Sequence, residues 1–476
     1  MIKIAIVGAG LAGSMIAGLL DKFPNFEITV YEKRPNPNQD DNSSGVFGHS
    51  TSAVKRSINL ALSHRGILAL KELGLADTVL ETAIKMPRRV IHELDGTEIF
   101  QPYGRSEEET LYSISREYIN NVLADYIQTN SKKVKILYGY TLQWVDKEGK
   151  CAFLTADGEW EQTIYDLVIG ADGAYSAVRE NMLKLGRIDF SRHYIPHGYK
   201  ELTIPAVKTT NEAGEVVEDY ALPNHEGLHI WPRGEFMLIA LPNPDKSFTA
   251  TLFAPYQGRG GFDSIDSNNP EQIIDHFQHY FPDVYPLMPE LTKDYHDNVV
   301  GSLVTVRTNP WNVGKTLLIG DAAHAVVPFF GQGMNCAFQD ALVLYNTIRG
   351  YFDEVKPQQS LAKAVTEFAK ERVLATNALA DLSLAHYHDM ASNTASYWYL
   401  FKKRVENGFS VLFPKVFQPL YQMVAFTSMP YHEAIARANQ QEVWVERTLA
   451  VVGGSLLLAG GYLYLNGGEK SVFNQF

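Results

Sequence analysis

An unbroken apolar run over residues 4–7 opens the chain, as expected of a parallel strand covered on both faces. It stops at Gly8-Ala9-Gly10-Leu11-Ala12-Gly13, and apolar positions at helical spacing then predict a helix over residues 11–22. Phe23-Pro24-Asn25 ends that helix, and a second strand over residues 27–31 leads into Glu32. Two later runs share this grammar. Residues 166–170 form a buried-type strand ending in Asp172-Gly173, and residues 316–319 form one ending in Gly320-Asp321.

Between these runs the period changes from helical to alternating. Residues 87–101 predict a β-hairpin turning at Asp95-Gly96, and residues 144–164 a second one turning at Asp157-Gly158. Ser115 is placed to cap a helix reaching about residue 128, and residues 134–138 form a strand. Short alternating strands over residues 193–253 predict a second, antiparallel sheet, followed by a helix over 269–280 and a strand over 299–306. Residues 34–52, rich in Pro, Asn, Asp, Ser and Gly, form a loop, and from residue 361 the pattern is helical with breaks near Pro414, Pro419 and Pro430.

The first stretch has the chemistry of a dinucleotide cradle. Gly8 allows a sharp turn, Gly10 lets backbone approach a pyrophosphate, and Gly13 lets the helix pack close to the strand. The helix N-terminus at Leu11, Ala12 and Gly13 offers unpaired N–H groups to the anion. Glu32 is placed to accept hydrogen bonds from a ribose, with Arg34 beside it as a further cofactor-binding candidate. These residues leave open which dinucleotide is bound.

Composition narrows the partners. With 476 residues, 45% of them hydrophobic and 20% charged, the chain is an ordinary globular protein able to bury a large core. A net charge of −12 and the lack of a clustered basic patch argue against nucleic acid. Two cysteines are too few for a disulfide framework, which points to a reducing compartment. The first strand begins at once, so no signal peptide is expected and the expected location is intracellular. Residues 448–465 are uncharged and mostly apolar, at the lower limit for a membrane span, and their four glycines weaken them as a soluble helix. A membrane-inserted helix and a docked helix hairpin both remain open there. No HExxH, CxxC or GxSxG pattern offers a metal or nucleophile site.

The three strand-and-turn motifs together resemble the aromatic-hydroxylase group of single-component flavoprotein monooxygenases. Four blocks narrow the resemblance to the kynurenine 3-monooxygenase family: residues 56–66, residues 170–176, His229-Ile230-Trp231-Pro232-Arg233, and residues 320–335. That resemblance implies an α/β fold: a Rossmann-like FAD-binding domain in three parts (1–80, 106–190, 296–375) and an antiparallel-sheet substrate domain (81–105, 191–295). C-terminal helices (376–447) would close the substrate site, with a hydrophobic segment (448–476) beyond them. It implies that FAD and NADPH are the cofactors, with Asp172 serving both. NADPH would reduce the flavin, oxygen would add at its C4a position, and the hydroperoxide would transfer OH to the ring of L-kynurenine, giving 3-hydroxykynurenine. The flavin carries the chemistry, so no catalytic side chain is expected.

The residue types fit these roles. Arg116 suits a phosphate or flavin edge, Asp321 suits ribityl hydroxyls, and the glycine-bearing stretch to Gly333, Met334 and Asn335 suits close approach to a flat ring. The resemblance places the substrate carboxylate on Arg89 and Tyr103 and a further contact on Tyr421. The family's helical Asn contact falls on His386 here, a departure that leaves a kynurenine analogue or another aromatic amino acid as the alternative substrate. A non-enzymatic, membrane-docked flavoprotein is the alternative of a different class. A halogenase would be expected to carry Trp-x-Trp-x-Ile-Pro, and no two tryptophans lie two residues apart. His64 and His324 are expected to pack or hydrogen-bond. Eukaryotic members are anchored to the mitochondrial outer membrane by a C-terminal helix, whereas some bacterial ones are soluble, so residues 448–465 are a candidate membrane anchor.

Overall fold

The strand Ile2–Val7 pairs in parallel with Phe26–Glu32 on one side and with Leu167–Gly170 on the other. Val134–Tyr138 extends the sheet beyond the second strand, while Thr316–Leu318 and the antiparallel Asn312–Val313 extend it beyond the third. All three strand-and-turn motifs therefore end at the same edge, where open α/β sheets bind ligands. The structure is a computed structural model that describes residues 1–36, 59–210, 214–392, 408 and 417–468, with backbone alone for 386–392 and most of 449–468. Ile4, Ala5 and Ile6 are fully buried, as a strand covered on both faces requires. The helices Leu11–Leu20 and Gly333–Tyr351 pack against each other and against this sheet through Met15, Ile16, Phe338 and Leu344.

A second sheet has seven strands, in the order Gly301–Asn309, Asp189–Ile204, Phe248–Pro255, Met237–Pro242, Leu228–Pro232, Arg88–His92, Glu98–Pro102. Side chains alternate across it. One face carries Leu202, Trp231, Leu238, Phe248 and Leu252 and is sealed by Ile273, Phe277 and Phe281 of the Pro270–Tyr280 region and by Leu291 and Tyr295 of the helix Leu291–Asp297. The opposite face carries Tyr199, Met237, Ile239 and Phe253 and packs against Val327 and Phe329. Val327 precedes and Phe329 lies within the turn Pro328–Phe330, just after the Gly320-Asp321 motif.

Several elements differ from the sequence pattern. The first of the short strands expected within 193–253 is instead Asp189–Ile204, sixteen residues long, because Gly301–Asn309 pairs along it. Both strands therefore belong to the second sheet, and the expected boundaries at 190/191 and 295/296 cut through hydrogen-bonded partners. The 144–164 hairpin gains a third strand, Thr141–Val145, and Asn59–Leu62 is a strand that the loop-like composition before it hid. Ser115 does cap Arg116–Asn130, accepting from the Tyr118 N–H at 3.3 Å.

The chain divides into two compact units, one of residues 1–393 with 425–428, the other of 394–424 with 429–476. The helix Tyr431–Gly468 of the second unit runs unbroken through 448–465, so no hairpin forms there. Among the described residues no helix is long and apolar enough to cross a membrane.

Candidate active site

The three glycines of the first turn are required for different reasons. Gly8 has φ +104°, and a Cβ there would meet the Ala171 carbonyl oxygen at 2.6 Å. A Cβ on Gly13 would lie 1.9 Å from the Gly8 oxygen, so the helix can approach the strand only without one. Gly10 has ordinary backbone and nothing within 4 Å of an added Cβ. Protein packing does not demand glycine there, whereas close approach of a ligand would. Leu11, Ala12 and Gly13 lie in the first turn of the helix, where backbone N–H groups lack intrahelical acceptors.

Glu32 is buried at the end of its strand. Its carboxylate accepts from the Ala9 N–H at 2.9 Å, from the Arg34 N–H at 3.0 Å and from Arg34 Nε at 2.8 Å. Burial would raise its pKa, but the Arg34 guanidinium and these N–H donors outweigh that and hold the carboxyl below the usual range. Asp172 accepts from the Ala177 and Val178 N–H groups at 2.7 and 3.2 Å and from the Ser176 hydroxyl. Its carboxylate thus serves the N-terminus of the helix Ala177–Leu185, and burial raises its pKa against those hydrogen bonds.

Asp321 opens the short helix Asp321–His324, directly after Gly320 at φ +57°. It is exposed, and among the described residues its carboxylate has no hydrogen bond or ion pair. A network that the sequence did not reveal holds this turn from beneath. Asp340, fully buried, accepts from the Gly320 N–H at 3.2 Å and pairs with His324 Nε2 at 2.5 Å. Arg372 Nε donates to its other oxygen at 2.8 Å. Burial alone would raise the Asp340 pKa, but His324 and Arg372 lower it on balance. His324, Cys336 and Asp340 bring donor atoms within 4.8 Å of one another. The Arg372 guanidinium already lies on both Asp340 and Cys336 Sγ, so a cation is built into this cluster.

Asn335 is fully buried, and its side chain is committed to the protein. Its Oδ1 accepts from the Ser63 N–H at 2.8 Å, and its Nδ2 donates to the Ala61 and Gly331 carbonyls at 2.8 and 3.0 Å. What Gly333, Met334 and Asn335 can offer a ligand is therefore the first-turn N–H groups of the helix Gly333–Tyr351. Arg116 is exposed in the first turn of Arg116–Asn130, where a cation opposes the helix dipole. It has no anionic partner among the described residues. Arg116 also favours the charged form of the nearby Tyr199 phenol, whose pKa burial raises.

The strand alternation puts Arg89 on the same face of the second sheet as Tyr199, Met237, Ile239 and Phe253, since Arg89 pairs with Leu228, and Ile91 lines up with Ile230 and Ile239. The Arg89 guanidinium lies 5.2 Å from the centre of the Tyr103 ring, and Tyr103 is buried. At the other end of this face, Phe253 meets Phe329 with ring centres 5.3 Å apart. One wall thus offers a cation and a phenol at one end and a buried aromatic surface, at the Pro328–Phe330 turn, at the other. His386 lies on the helix Pro357–Ser392, but its side chain is outside the described residues, as are residues 56–58 of the first family block. Tyr421 lies on the helix Leu420–Phe426, half-buried in the second unit. His64 is half-buried, its Nε2 3.4 Å from the Ser428 hydroxyl.

Comparison with known proteins bears on this geometry. A family described as "FAD binding domain" matches residues 48–376, and one described as "NAD(P)-binding Rossmann-like domain" matches residues 6–53. The chain is 40% identical to the kynurenine 3-monooxygenase of Dictyostelium discoideum, with 92% of this chain and 91% of that protein covered. It is 38% identical to that of Sus scrofa, with 97% and 92% covered. Among solved structures, 2-methyl-3-hydroxypyridine-5-carboxylic acid oxygenase aligns with a TM-score of 0.64 at 20% identity, covering 84% of this chain and 95% of that one. At such identity the likeness speaks to the fold alone.

Proposed function

The chain belongs to the kynurenine 3-monooxygenase family, and from that premise we propose that it hydroxylates L-kynurenine to 3-hydroxy-L-kynurenine with FAD, NADPH and O2. The observation that carries this reading is the asymmetric wall of the second sheet. Arg89 and Tyr103 suit an amino-acid carboxylate at one end, and Met237, Ile239, Phe253 and Phe329 suit an aromatic ring at the other. A guanidinium and a phenol give that carboxylate charge-assisted hydrogen bonds.

The residues present fit FAD. Its pyrophosphate would lie over Gly10 and the N–H groups of Leu11, Ala12 and Gly13, its adenosine ribose near Glu32 and Arg34, and its ribityl chain near Asp321. The donors already on Glu32 leave it little further capacity, so Arg34 shares that contact in this reading. Arg116 and the N–H groups of Gly333, Met334 and Asn335 would face the ring. Asp172 acts at one remove, by holding the helix that follows it. Bound FAD, once reduced by NADPH, supplies the activation of oxygen and the transfer of one oxygen atom to the substrate. The protein binds, orients and excludes water, and the apolar face around Phe253 and Phe329 is suited to that exclusion.

His386 would add a further substrate contact, with a His in place of the family's Asn. We also propose that residues 448–465 dock the protein on a membrane surface, supported by their uncharged, apolar composition. The deciding experiment incubates the protein with L-kynurenine, NADPH and oxygen and analyses the product. Formation of 3-hydroxykynurenine with stoichiometric NADPH oxidation supports the reading. NADPH oxidation with kynurenine recovered unchanged refutes it.

A further inference from the structure

The His229-Ile230-Trp231-Pro232-Arg233 block has no part in the site described above. Its alternation explains why: His229 and Trp231 point to the helix-covered face of the second sheet, opposite Arg89. There they meet His92, three residues along the same strand as Arg89. The His92 and His229 rings join through Nε2 and Nδ1 at 2.8 Å, and the Trp231 indole stacks on His92 with centres 4.2 Å apart at 10°. Trp231 Nε1 donates to Asp283 Oδ2 at 2.6 Å, and the same oxygen lies 3.4 Å from His92 Nδ1. Glu98, on the hairpin's outer strand, stands 3.9 Å from that nitrogen. Arg233 closes the group, its Nη1 donating to the His92 carbonyl at 3.0 Å and its Nε to the Tyr280 carbonyl at 2.5 Å.

We propose that His229, Trp231, Arg233 and Asp283 are positioning residues that clamp the strand Arg88–His92 from behind and so set the place of Arg89 for the substrate's α-carboxylate. This rests on the reading of Arg89 given above. The clamp has a physical reason to exist. Beyond Arg88–His92 the sheet has only the strand Glu98–Pro102, whose Ile99 and Phe100 are exposed. A hairpin at a sheet edge carries little packing of its own, and side-chain bonds to the sheet interior and to the Pro270–Tyr280 helix replace it. His92 and His229 are both buried, and polar groups buried this deeply act on their strand only if their bonds are kept.

The test uses the full-length holoprotein and two ligands, L-kynurenine and kynuramine, which lacks the α-carboxylate. Asp283→Asn keeps shape and removes charge at a partly exposed position, and Trp231→Phe keeps an aromatic, though smaller, ring and removes the indole donor. Each is expected to weaken kynurenine binding about tenfold, read as KM and as quenching of flavin fluorescence, because a strained charge-assisted contact loses affinity on that scale. Kynuramine affinity, KM for NADPH and FAD content should stay at parental values. Equal weakening for both ligands, or unchanged kynurenine binding in both variants, overturns the proposal. Arg89→Ala is the separate control. If it leaves the preference for kynurenine over kynuramine at the parental ratio, the assignment of Arg89 itself fails, whatever the clamp variants do.

Discussion

Lowering the pH from 7 to 5 should destabilise the fold by about 4 kcal/mol through one buried and one half-buried histidine. His229 is pushed down to about 3, first by burial and then by the neighbouring His92. His276 is pushed down to about 4, again first by burial and then by His279; its Nε2 is buried without a hydrogen bond, and its ring lies among Phe236, Phe277 and Tyr280. In the unfolded chain both titrate near 6.5. Between the folded and unfolded values the unfolded chain binds the extra proton, so stability is fully present above about 6.5 and is lost as pH falls towards the folded values. At pH 5 the unfolded state has gained nearly 1.5 pKa units of protonation per histidine, worth about 2 kcal/mol each at ~1.4 kcal/mol per unit. Carboxylates held low, such as Glu32 and Asp340, add their loss only at more acidic pH. The assay is urea unfolding of the holoprotein at pH 7 and 5, followed by circular dichroism and flavin fluorescence. His276→Gln should remove about half of the pH-dependent loss. A variant with the parent's full dependence would show that His276 does not stay neutral in the folded state, and a flat profile in the parent would refute the argument for both residues.

Other expectations follow from single contacts. Arg89→Ala should raise the kynurenine KM by ~10- to 100-fold, as losing a charge-assisted carboxylate contact costs about 1.5–3 kcal/mol; Tyr103→Phe should do less, and unchanged FAD content in both would confine the effect to substrate. Gly13→Ala places a Cβ 1.9 Å from the Gly8 oxygen, so the purified protein should lose bound FAD, checked by its visible spectrum, or fail to fold. Asp321→Ala should weaken FAD binding by roughly tenfold or more, measured by dialysis and reconstitution. Truncation after Arg447 should leave kynurenine KM unchanged and ease extraction without detergent; loss of turnover in a folded truncated protein would show that the terminal helix serves the active site instead.

What the sequence made legible was local. Gly8, Gly10 and Gly13 act within one strand–turn–helix unit, so their spacing carries their meaning, and the Asp95-Gly96 and Asp157-Gly158 turns announce hairpins in the same way. Asp340 and Arg372 gave no such signal. Each sits in a helix, and the pairings His324–Asp340 and Asp340–Arg372 span 16 and 32 positions along the chain, which no periodicity encodes. The second sheet was half legible for a related reason. Alternation marked its short strands, but Asp189–Ile204 is long because Gly301–Asn309, more than a hundred residues later, pairs along it. Asn335 shows the reverse case. Its place in a motif suggested a ligand contact, yet its amide is used to tie the Ser63 turn to Gly331.

The same contrast separates the two ways this protein holds the segments proposed to meet ligand. At the Gly320-Asp321 turn a buried carboxylate works from below, leaving the exposed Asp321 free to meet a polar ligand. At the edge of the second sheet, aromatic and imidazole rings work from behind, leaving Arg89 on the opposite face. In both places the group proposed to touch ligand sits on a short segment, while the polar atoms that secure the segment are buried. Buried polar networks are costly when half satisfied, so substitutions in them should couple non-additively with the contacts they support. A double-mutant cycle between Asp283→Asn and Arg89→Lys, read as kynurenine affinity, should therefore depart from additivity by more than the ~0.5 kcal/mol seen between independent sites. Strict additivity would mean that the clamp and the carboxylate contact act independently, and the network behind the hairpin would then be a matter of stability alone.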